Sequence, residues 1–306
     1  MRQTNFPFIK HTKLWFTLSL LILLVGVGAM ASNKIKYGSF LQYGIDFTGG
    51  TLIELKFQDN SKDLSEDLGN TINGVVANEV SQITVTDQNT YIVQGKTLSN
   101  EQYESVKEAV RQKLGAFEEI KYNTIGPKVG ETLKKKALFA ISLALVAIVL
   151  YLAYAFRKVP KRVSPWRFGL CAVVALAHDV IATVGVFALM GYEVDALFIT
   201  AILTVIGFSV HDTIVVFDRI RENLKFQGRD ESFAQVADLS LNQTLSRSIN
   251  TSVSTLITLA ALYVLGAPSL KTFLFALLFG ITIGTYSSIF IASPLLVLWQ
   301  GKKGIR

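Results

Sequence analysis

The stretch Phe168-Gly-Leu-Cys-Ala-Val-Val-Ala-Leu-Ala-His-Asp-Val-Ile-Ala-Thr-Val-Gly-Val-Phe-Ala-Leu-Met190 decides what kind of protein this is. A helix needs about 20 predominantly apolar residues to cross a hydrocarbon core, and this run supplies them with only His178 and Asp179 interrupting it. Working outward, five more apolar segments lie at about 14–31, 137–156, 196–217, 249–267 and 270–297. Half of the 306 residues are hydrophobic and 17% are charged, with a mean hydropathy of +0.40. These values describe a polytopic α-helical membrane protein and exclude an ordinary soluble globule.

The formal charge of +7 invites a nucleic-acid reading until it is divided along the chain. Residues 1–31 carry +3, residues 32–136 carry −1 and residues 137–306 carry +5, so the excess lies beside the apolar segments. Juxtamembrane placement is what the positive-inside rule produces, and no stretch interleaves basic residues with stacking aromatics; nucleic acid is not an expected partner. Cys171 is the only cysteine and sits in an apolar run, which leaves neither a disulfide framework nor a zinc spacing.

The short connections orient the spans. Arg157, Lys158, Lys161, Arg162 and Arg167 follow the second segment, and Arg219, Arg221, Lys225 and Arg229 follow the fourth. Gly191-Tyr-Glu-Val-Asp195 after the third has no Lys or Arg, and the turn after the fifth has only Lys271. Both chain ends, residues 1–13 with Lys10 and Lys13 and the basic tail 299–306 with Lys302, Lys303 and Arg306, are therefore expected in the cytoplasm. Lys134, Lys135 and Lys136 run against the rule, beside a long translocated region where it weakens. A second reading of the first segment is a cleaved signal peptide, because Arg2, Lys10 and Lys13 precede an apolar run ending in Ala29-Met30-Ala31.

Residues 32–136 have globular composition and are expected outside the membrane. Thr51–Phe57 alternates as a strand does, and Asp63–Val80 places Leu64, Leu68, Ile72, Val75 and Val76 at helical spacing. Ile83–Thr86 and Tyr91–Gln94 flank the polar turn Asp87, Gln88 and Asn89 as in a hairpin. A helix fits Ser99–Leu114, with Ser99 as N-cap and Gly115 as stop, before a strand near Glu118–Ile125. This order, strand, helix, strand, strand, helix, strand, predicts a small α+β ferredoxin-like domain. Residues 230–246, with Phe233, Val236, Leu239 and Leu245 among Asp230, Glu231 and Asp238, fit either an interfacial helix or a loop.

Ionisable residues inside spans carry the chemistry, because each costs about 2.5–3.5 kcal/mol at a helix centre on insertion scales and must face a partner or a water cavity. His178 and Asp179 occupy the third span, His211 and Asp212 the inner half of the fourth, and Arg247 precedes or enters the fifth. Arg247 is the strong cationic candidate to pair with Asp179 or Asp212. A carboxylate that titrates beside a guanidinium that does not is a two-state electrostatic switch. Buried polar groups that only hold helices together are the competing explanation, closest for the lone histidines and furthest for Asp212 beside the polar stripe Ser209, His211 and Thr213. Converging His178, Asp179, His211 and Asp212 could in principle bind a metal. Adjacent helical residues point about 100° apart, so each pair offers one comfortable ligand and no metal is expected. Nor is there a Walker pattern, a nucleophile elbow or a paired-carboxylate hydrolase arrangement. Gly44-Ile-Asp-Phe-Thr-Gly-Gly50 lacks the Lys-Ser/Thr ending of a phosphate loop and reads as a turn into the strand at Thr51.

That same segment, Gly44-Ile-Asp-Phe-Thr-Gly-Gly-Thr51 just after a first span, resembles the signature of the SecD/SecF protein-export family, with Gly44, Asp46, Gly49 and Gly50 as its matching positions. Val210-His-Asp-Thr-Ile-Val-Val-Phe-Asp-Arg-Ile-Arg-Glu-Asn223 resembles the end of the family's fourth span, and Leu245-Ser-Arg-Ser-Ile-Asn-Thr-Ser252 the start of its fifth. Ile125-Gly-Pro-Lys-Val-Gly130 and His178-Asp179 match as well, so the likeness runs over nearly the whole chain. A single small external domain is similar to the SecF half rather than the longer SecD half.

The resemblance implies six spans forming half of a resistance-nodulation-division-type transporter in the inner, cytoplasmic membrane of a prokaryote. It implies pairing with SecD, work alongside the SecYEG channel, SecA and a translocating preprotein, and no cofactor other than protons as coupling ion. It further implies that Asp212 carries the proton and Arg247 is its basic partner, while His178 and Asp179 match positions whose role is less defined. Asn is usual in the family where this chain has His211, which puts local protonation energetics in question. A small-molecule or lipid exporter of the same architecture is the alternative, disfavoured by the compact external domain, and a scaffold whose charges only fix packing is the third.

Overall fold

In hydrocarbon every backbone N–H and C=O must find its partner within the protein, so the long apolar runs can only be helices. The computed structural model describes residues 6–58, 63–76, 80–87, 89–157, 164–226 and 231–300. Arg2, Gln88, Lys158, Lys161, Arg162, Arg229, Asp230, Lys302, Lys303 and Arg306, used above for orientation and turns, lie outside these residues. In chain order the elements are α1 (Thr12–Tyr37), β1 (Gln42–Tyr43), α2 (Ile45–Thr48), β2 (Gly50–Phe57), α3 (Ser65–Val75), β3 (Val80–Asp87), β4 (Thr90–Gly95), α4 (Asn100–Leu114) and β5 (Phe117–Ile125). There follow α5 (Pro127–Ala155), α6 (Pro165–Met190), β6 (Glu193–Val194), α7 (Ala196–Phe226), α8 (Phe233–Leu265), α9 (Lys271–Ser287) and α10 (Ser293–Gln300). Short 3-10 turns precede α1 and α9, and a π-helical turn, Ser288–Ala292, joins α9 to α10.

Among the described residues six helical segments are long and apolar enough to cross a membrane: Ile9–Tyr37, Pro127–Ala155, Pro165–Met190, Ala196–Phe226, Phe233–Leu265 and Pro268–Gln300. The chain divides into two units, one of Met1–Gln42, Ala140–Tyr192 and Leu197–Arg306, the other of Tyr43–Phe139 and Glu193–Ala196.

In the helical unit, α6, α7 and the α9–α10 segment are the interior; the apolar stretches of α1, α5 and α8 are mostly exposed. α1 crosses α6 backbone to backbone: a Cβ on Gly185 would fall 2.6 Å from the Cα of Gly26. Small residues at the crossing let membrane helices gain van der Waals contact, the main attraction left when lipid is as apolar as the side chains.

Two helices differ from the sequence expectation. The basic residues Arg219, Arg221 and Lys225 are not in a loop, because α7 continues to Phe226. Residues 233–246 are neither a loop nor a separate interfacial helix but the first turns of the helix that becomes the fifth span. Ser232 starts it with a capping box, accepting from the Gln235 N–H while Gln235 returns to the Ser232 N–H. The two extensions bind each other through polar side chains, Asn223 Nδ2 donating to Ser240 Oγ at 2.8 Å and Arg219 Nε to Gln243 Oε1 at 2.6 Å. Those contacts satisfy groups that would otherwise demand a loop.

The second unit is a four-stranded sheet in the order β3-β4-β2-β5 with every neighbour antiparallel, the ferredoxin-like arrangement. Ile53 pairs with Val93 and Leu55 with Tyr91, so one face of β2 and β4 is apolar. α3 covers it with Leu68 and Ile72, and α4 with Tyr103, Val106 and Val110, at the i, i+3, i+4 and i+7 spacings of a helix stripe. α4 begins at the Ser99 capping box and stops before Gly115 at φ +96°. α3 is shorter than its pattern suggested; it ends at Val75 and Val80 opens β3 instead.

Replacing Gly185 by Val should separate α1 from α6 at a cost of about 1–3 kcal/mol, the range for overpacking. Thermal unfolding of the detergent-solubilised protein should show a lowered Tm for Gly185→Val and an unchanged one for Gly28→Ala, where a Cβ meets nothing within 4 Å.

Candidate functional site

The site begins with two glycines one helical turn apart. A Cβ on Gly280 would lie 2.3 Å from Val205 Cγ2, so α9 lies this close to α7 because that residue is glycine, and one on Gly284 would lie 3.0 Å from Ser209 Cβ, tighter than ordinary contact. This approach delivers four consecutive hydroxyl side chains, each to a different helix. Thr285 Oγ1 meets Ser252 Oγ of α8 at 2.6 Å, and the Tyr286 hydroxyl donates to the Trp15 carbonyl of α1 at 2.9 Å and meets Ser19 Oγ at 3.1 Å. Ser287 Oγ donates to Asp179 Oδ2 of α6 at 2.7 Å, and Ser288 Oγ donates to Asp212 Oδ2 of α7. The helix loses its α geometry at that point. Pro294 has no N–H to give the Phe290 carbonyl four residues back, and within the π-helical turn the Ser293 hydroxyl donates to the Ser288 carbonyl at 3.3 Å.

Asp179 is fully buried. Its Oδ2 accepts from Ser209 and Ser287, both at 2.7 Å, and its Oδ1 lies 3.0 Å from His178 Nδ1. Adjacent His178 and Asp179 therefore touch through the ends of their side chains, although their positions are a full helical step apart. His178 Nε2 is buried and, among the described residues, has no hydrogen-bond partner.

Asp212 is 6% exposed and lines a cleft together with Phe208, His211, Val215, Arg247, Ser248 and Thr251. His211 and Arg247 are exposed at this cleft. The expected carboxylate–guanidinium pair is not formed: among the described residues no ion pair within 4.0 Å joins Arg247 to Asp212 or Asp179. Hydroxyl donors from the last span hold the carboxylates, and Arg247 shares the cleft with Asp212 from the exposed side of α8. Among the described residues no three His, Cys, Asp or Glu side chains converge as a metal-ligating group. Ser287 and Ser288 went unread in the sequence. The signal was Thr285-Tyr-Ser-Ser288, a polar run inside an otherwise apolar span.

The signature glycines lie in the sheet unit. α2 is one helical turn whose exit needs Gly49 at φ +74° and Gly50 at φ +136°, and a Cβ on Gly50 would collide with the Gly95 carbonyl at 2.5 Å. The Gly44 N–H donates to the Val194 carbonyl at 3.0 Å, and Asp46 Oδ2 accepts from the Ala196 N–H at 2.9 Å. Asp46 thereby satisfies an N–H of the first turn of α7. Beside it, Glu193 accepts from Gln94 Nε2 at 2.9 Å. Burial, with Asp195 and Asp46 nearby, raises the Glu193 carboxyl above the usual carboxylate range despite that hydrogen bond.

Six membrane-length helices with a ferredoxin-like domain between the first two, and hydroxyl-held carboxylates among the interior helices, define a polytopic membrane transport protein. The chain belongs to the SecD/SecF family: the model for "Protein export membrane protein SecD/SecF, C-terminal" matches residues 105–302, and that for the "SecD/SecF GG Motif" matches residues 41–60. It is 42% identical to the protein translocase subunit SecF of Thermobaculum terrenum, over 95% of this chain and 93% of that one. To the SecF subunit of a Synechocystis species it is 37% identical, over 94% and 91%. The crystal structure of SecDF from Thermus thermophilus, described as a translocon-associated membrane protein, superposes with a TM-score of 0.83 at 34% identity over 96% of this chain. This chain spans 38% of that structure's length. A second SecDF structure, in a super-membrane-facing form, gives a TM-score of 0.66 over the same shares. The family is one of transport components rather than enzymes, and the chain is a multi-pass membrane protein.

Because folding raises the Glu193 pKa, the native state holds this proton more tightly than the unfolded chain. Its contribution to stability should be greatest in acid and decline as pH rises from the ordinary carboxylate value through the raised one. Glu193→Gln should remove that part of the slope, measured as Tm of the purified protein against pH.

Proposed function

We propose that this chain is the SecF-type half of a protein-export pump that, paired with SecD, uses the proton-motive force to drive late steps of preprotein translocation through SecYEG after SecA has begun it. Family membership supports the export role, and the SecDF chain of Thermus thermophilus, 35% identical over 90% of this chain, supports the pairing. The observation that carries the proton step is Asp212: a buried carboxylate in mid-span that lines a cleft together with His211 and Arg247. Arg247 supplies a permanent positive charge at that cleft, and Asp212 supplies the group whose charge can change. Asp179, His178 and His211 complete the coupling set, and protons are the coupling ion with no other cofactor.

In this reading both termini face the cytoplasm and the domain within residues 32–136 lies on the outer side of a prokaryotic inner membrane, as the distribution of Arg and Lys supports. Moving one charge through 100 mV is worth about 2.3 kcal/mol, enough to bias a two-state element whose gap is small.

Inverted membrane vesicles carrying Asp212→Asn with normal SecD and SecYEG levels test it. The gradient-stimulated part of precursor export should vanish while copurification with SecD is kept. Stimulation that survives at full strength in an assembled complex would refute proton coupling at Asp212.

A further inference from the structure

We propose that Ser288 is a positioning residue that reads the protonation state of Asp212 and transmits it to the bend of the last span; this rests on the proton-coupling reading above. A serine hydroxyl carries a single hydrogen. Ser288 Oγ has two acceptors for it, Asp212 Oδ2 and the Thr285 carbonyl at 3.0 Å, and can serve only one at a time.

An ionised carboxylate only accepts, so with Asp212 charged the Ser288 hydrogen lies toward Asp212. Once a proton from the cleft has bound, the carboxyl O–H has a hydrogen to give. Ser288 Oγ then accepts it and turns its own hydrogen to the Thr285 carbonyl. No hydrogen is gained or lost beyond the one that entered.

The place of this exchange gives it consequence. Ser288 opens the π-helical turn Ser288–Ala292, and the Thr285 carbonyl belongs to the last α-helical turn before it. The Thr285 side chain is tied to Ser252 of α8, which lines the Asp212 cleft. Protonation of one carboxylate thus adds or removes a hydrogen bond at the joint of the last span, and π-helical turns are where such spans yield.

Ser287 has the same choice, between Asp179 Oδ2 at 2.7 Å and the Gly284 carbonyl at 3.1 Å. Asp179, however, also has Ser209 and His178, whereas among the described residues Ser288 is the one side chain hydrogen-bonded to the Asp212 carboxylate. Losing Ser287 leaves Asp179 provided for; losing Ser288 leaves Asp212 without a donor. The titratable and charged groups that share the cleft with Asp212 are His211 on its own helix and Arg247 on α8; on α6, Asp179 is held by the neighbouring Ser287 and contacts His178, whose ring lies 6.4 Å from that of Tyr286 on α9.

The experiment uses the full chain with SecD in inverted vesicles under an imposed proton gradient. Ser288→Ala should lower gradient-stimulated export about tenfold, the size of one hydrogen bond to a charged group, and Ser288→Thr, which keeps the hydroxyl, should retain it. The infrared carbonyl band of protonated Asp212, isolated by subtracting Asp212→Asn, should shift in Ser288→Ala and stay in place in Ser288→Thr. A role in packing alone would not move that band. If Ser288→Ala fails to copurify with SecD, Ser288→Cys replaces it, being close in volume and a weak donor, with the same expected loss and band shift.

Wild-type stimulation and an unshifted band in the assembled Ala or Cys variant, with Asp212→Asn inactive, overturn the role of Ser288 alone. Full stimulation in both Asp212→Asn and Ser288→Ala overturns the proton reading itself.

Discussion

Two carboxylates inside a membrane-spanning bundle must be given hydrogen-bond donors, and here one short run of the last span provides them. Ser287 and Ser288 reach Asp179 and Asp212 on two different helices, while Thr285 and Tyr286 reach two more. A buried ionised group without partners costs several kcal/mol even after relaxation, so the positions of α6, α7 and α9 are bound together by this requirement. The close approach that makes it possible is steric, since a Cβ would collide with Val205 at Gly280 and crowd Ser209 at Gly284. Packing and polarity are therefore one constraint: the glycines bring the backbones near enough for single-carbon hydroxyls to span the gap.

The same logic separates the two carboxylates. Asp179 is enclosed and has three side-chain hydrogen-bond partners, His178, Ser209 and Ser287. Asp212 has, among the described residues, a single hydroxyl partner and a cleft at its side. Arg247 stands at that cleft without an ion pair to either carboxylate among the described residues, so the side-chain contacts recorded for the two carboxylates come from hydroxyl groups and, at Asp179, from His178. Hydroxyl donors can reorient without moving the backbone, whereas an ion pair must be broken and its charges rehydrated.

In the sheet unit, the glycine signature serves geometry. Gly49 and Gly50 occupy backbone conformations that side chains resist, and this lets the single turn α2 present Asp46 to the Ala196 N–H and the Gly44 N–H to Val194. The signature thereby fastens the start of β2 to the connection that begins α7. A phosphate-loop reading of the glycines would have missed this, because the acceptor in question is a carboxylate of the chain itself.

The order of apolar runs determined that this is a six-helix membrane chain, and the alternation of strand and helix patterns between residues 50 and 125 determined the ferredoxin-like sheet; both are local periodicities that each segment carries in its own residues. Asp212, His211, Asp179 and Arg247 stood out for the same reason, each being costly where it lies. Which of them touch was decided only by the tertiary structure. Arg247 is the cation the sequence offers to Asp212, yet the hydrogen bond comes from a serine 76 positions away. Sequence shows how strongly a buried charge needs a partner. Distances between helices, set by glycines whose effect appears only when two backbones meet, determine which side chain answers it.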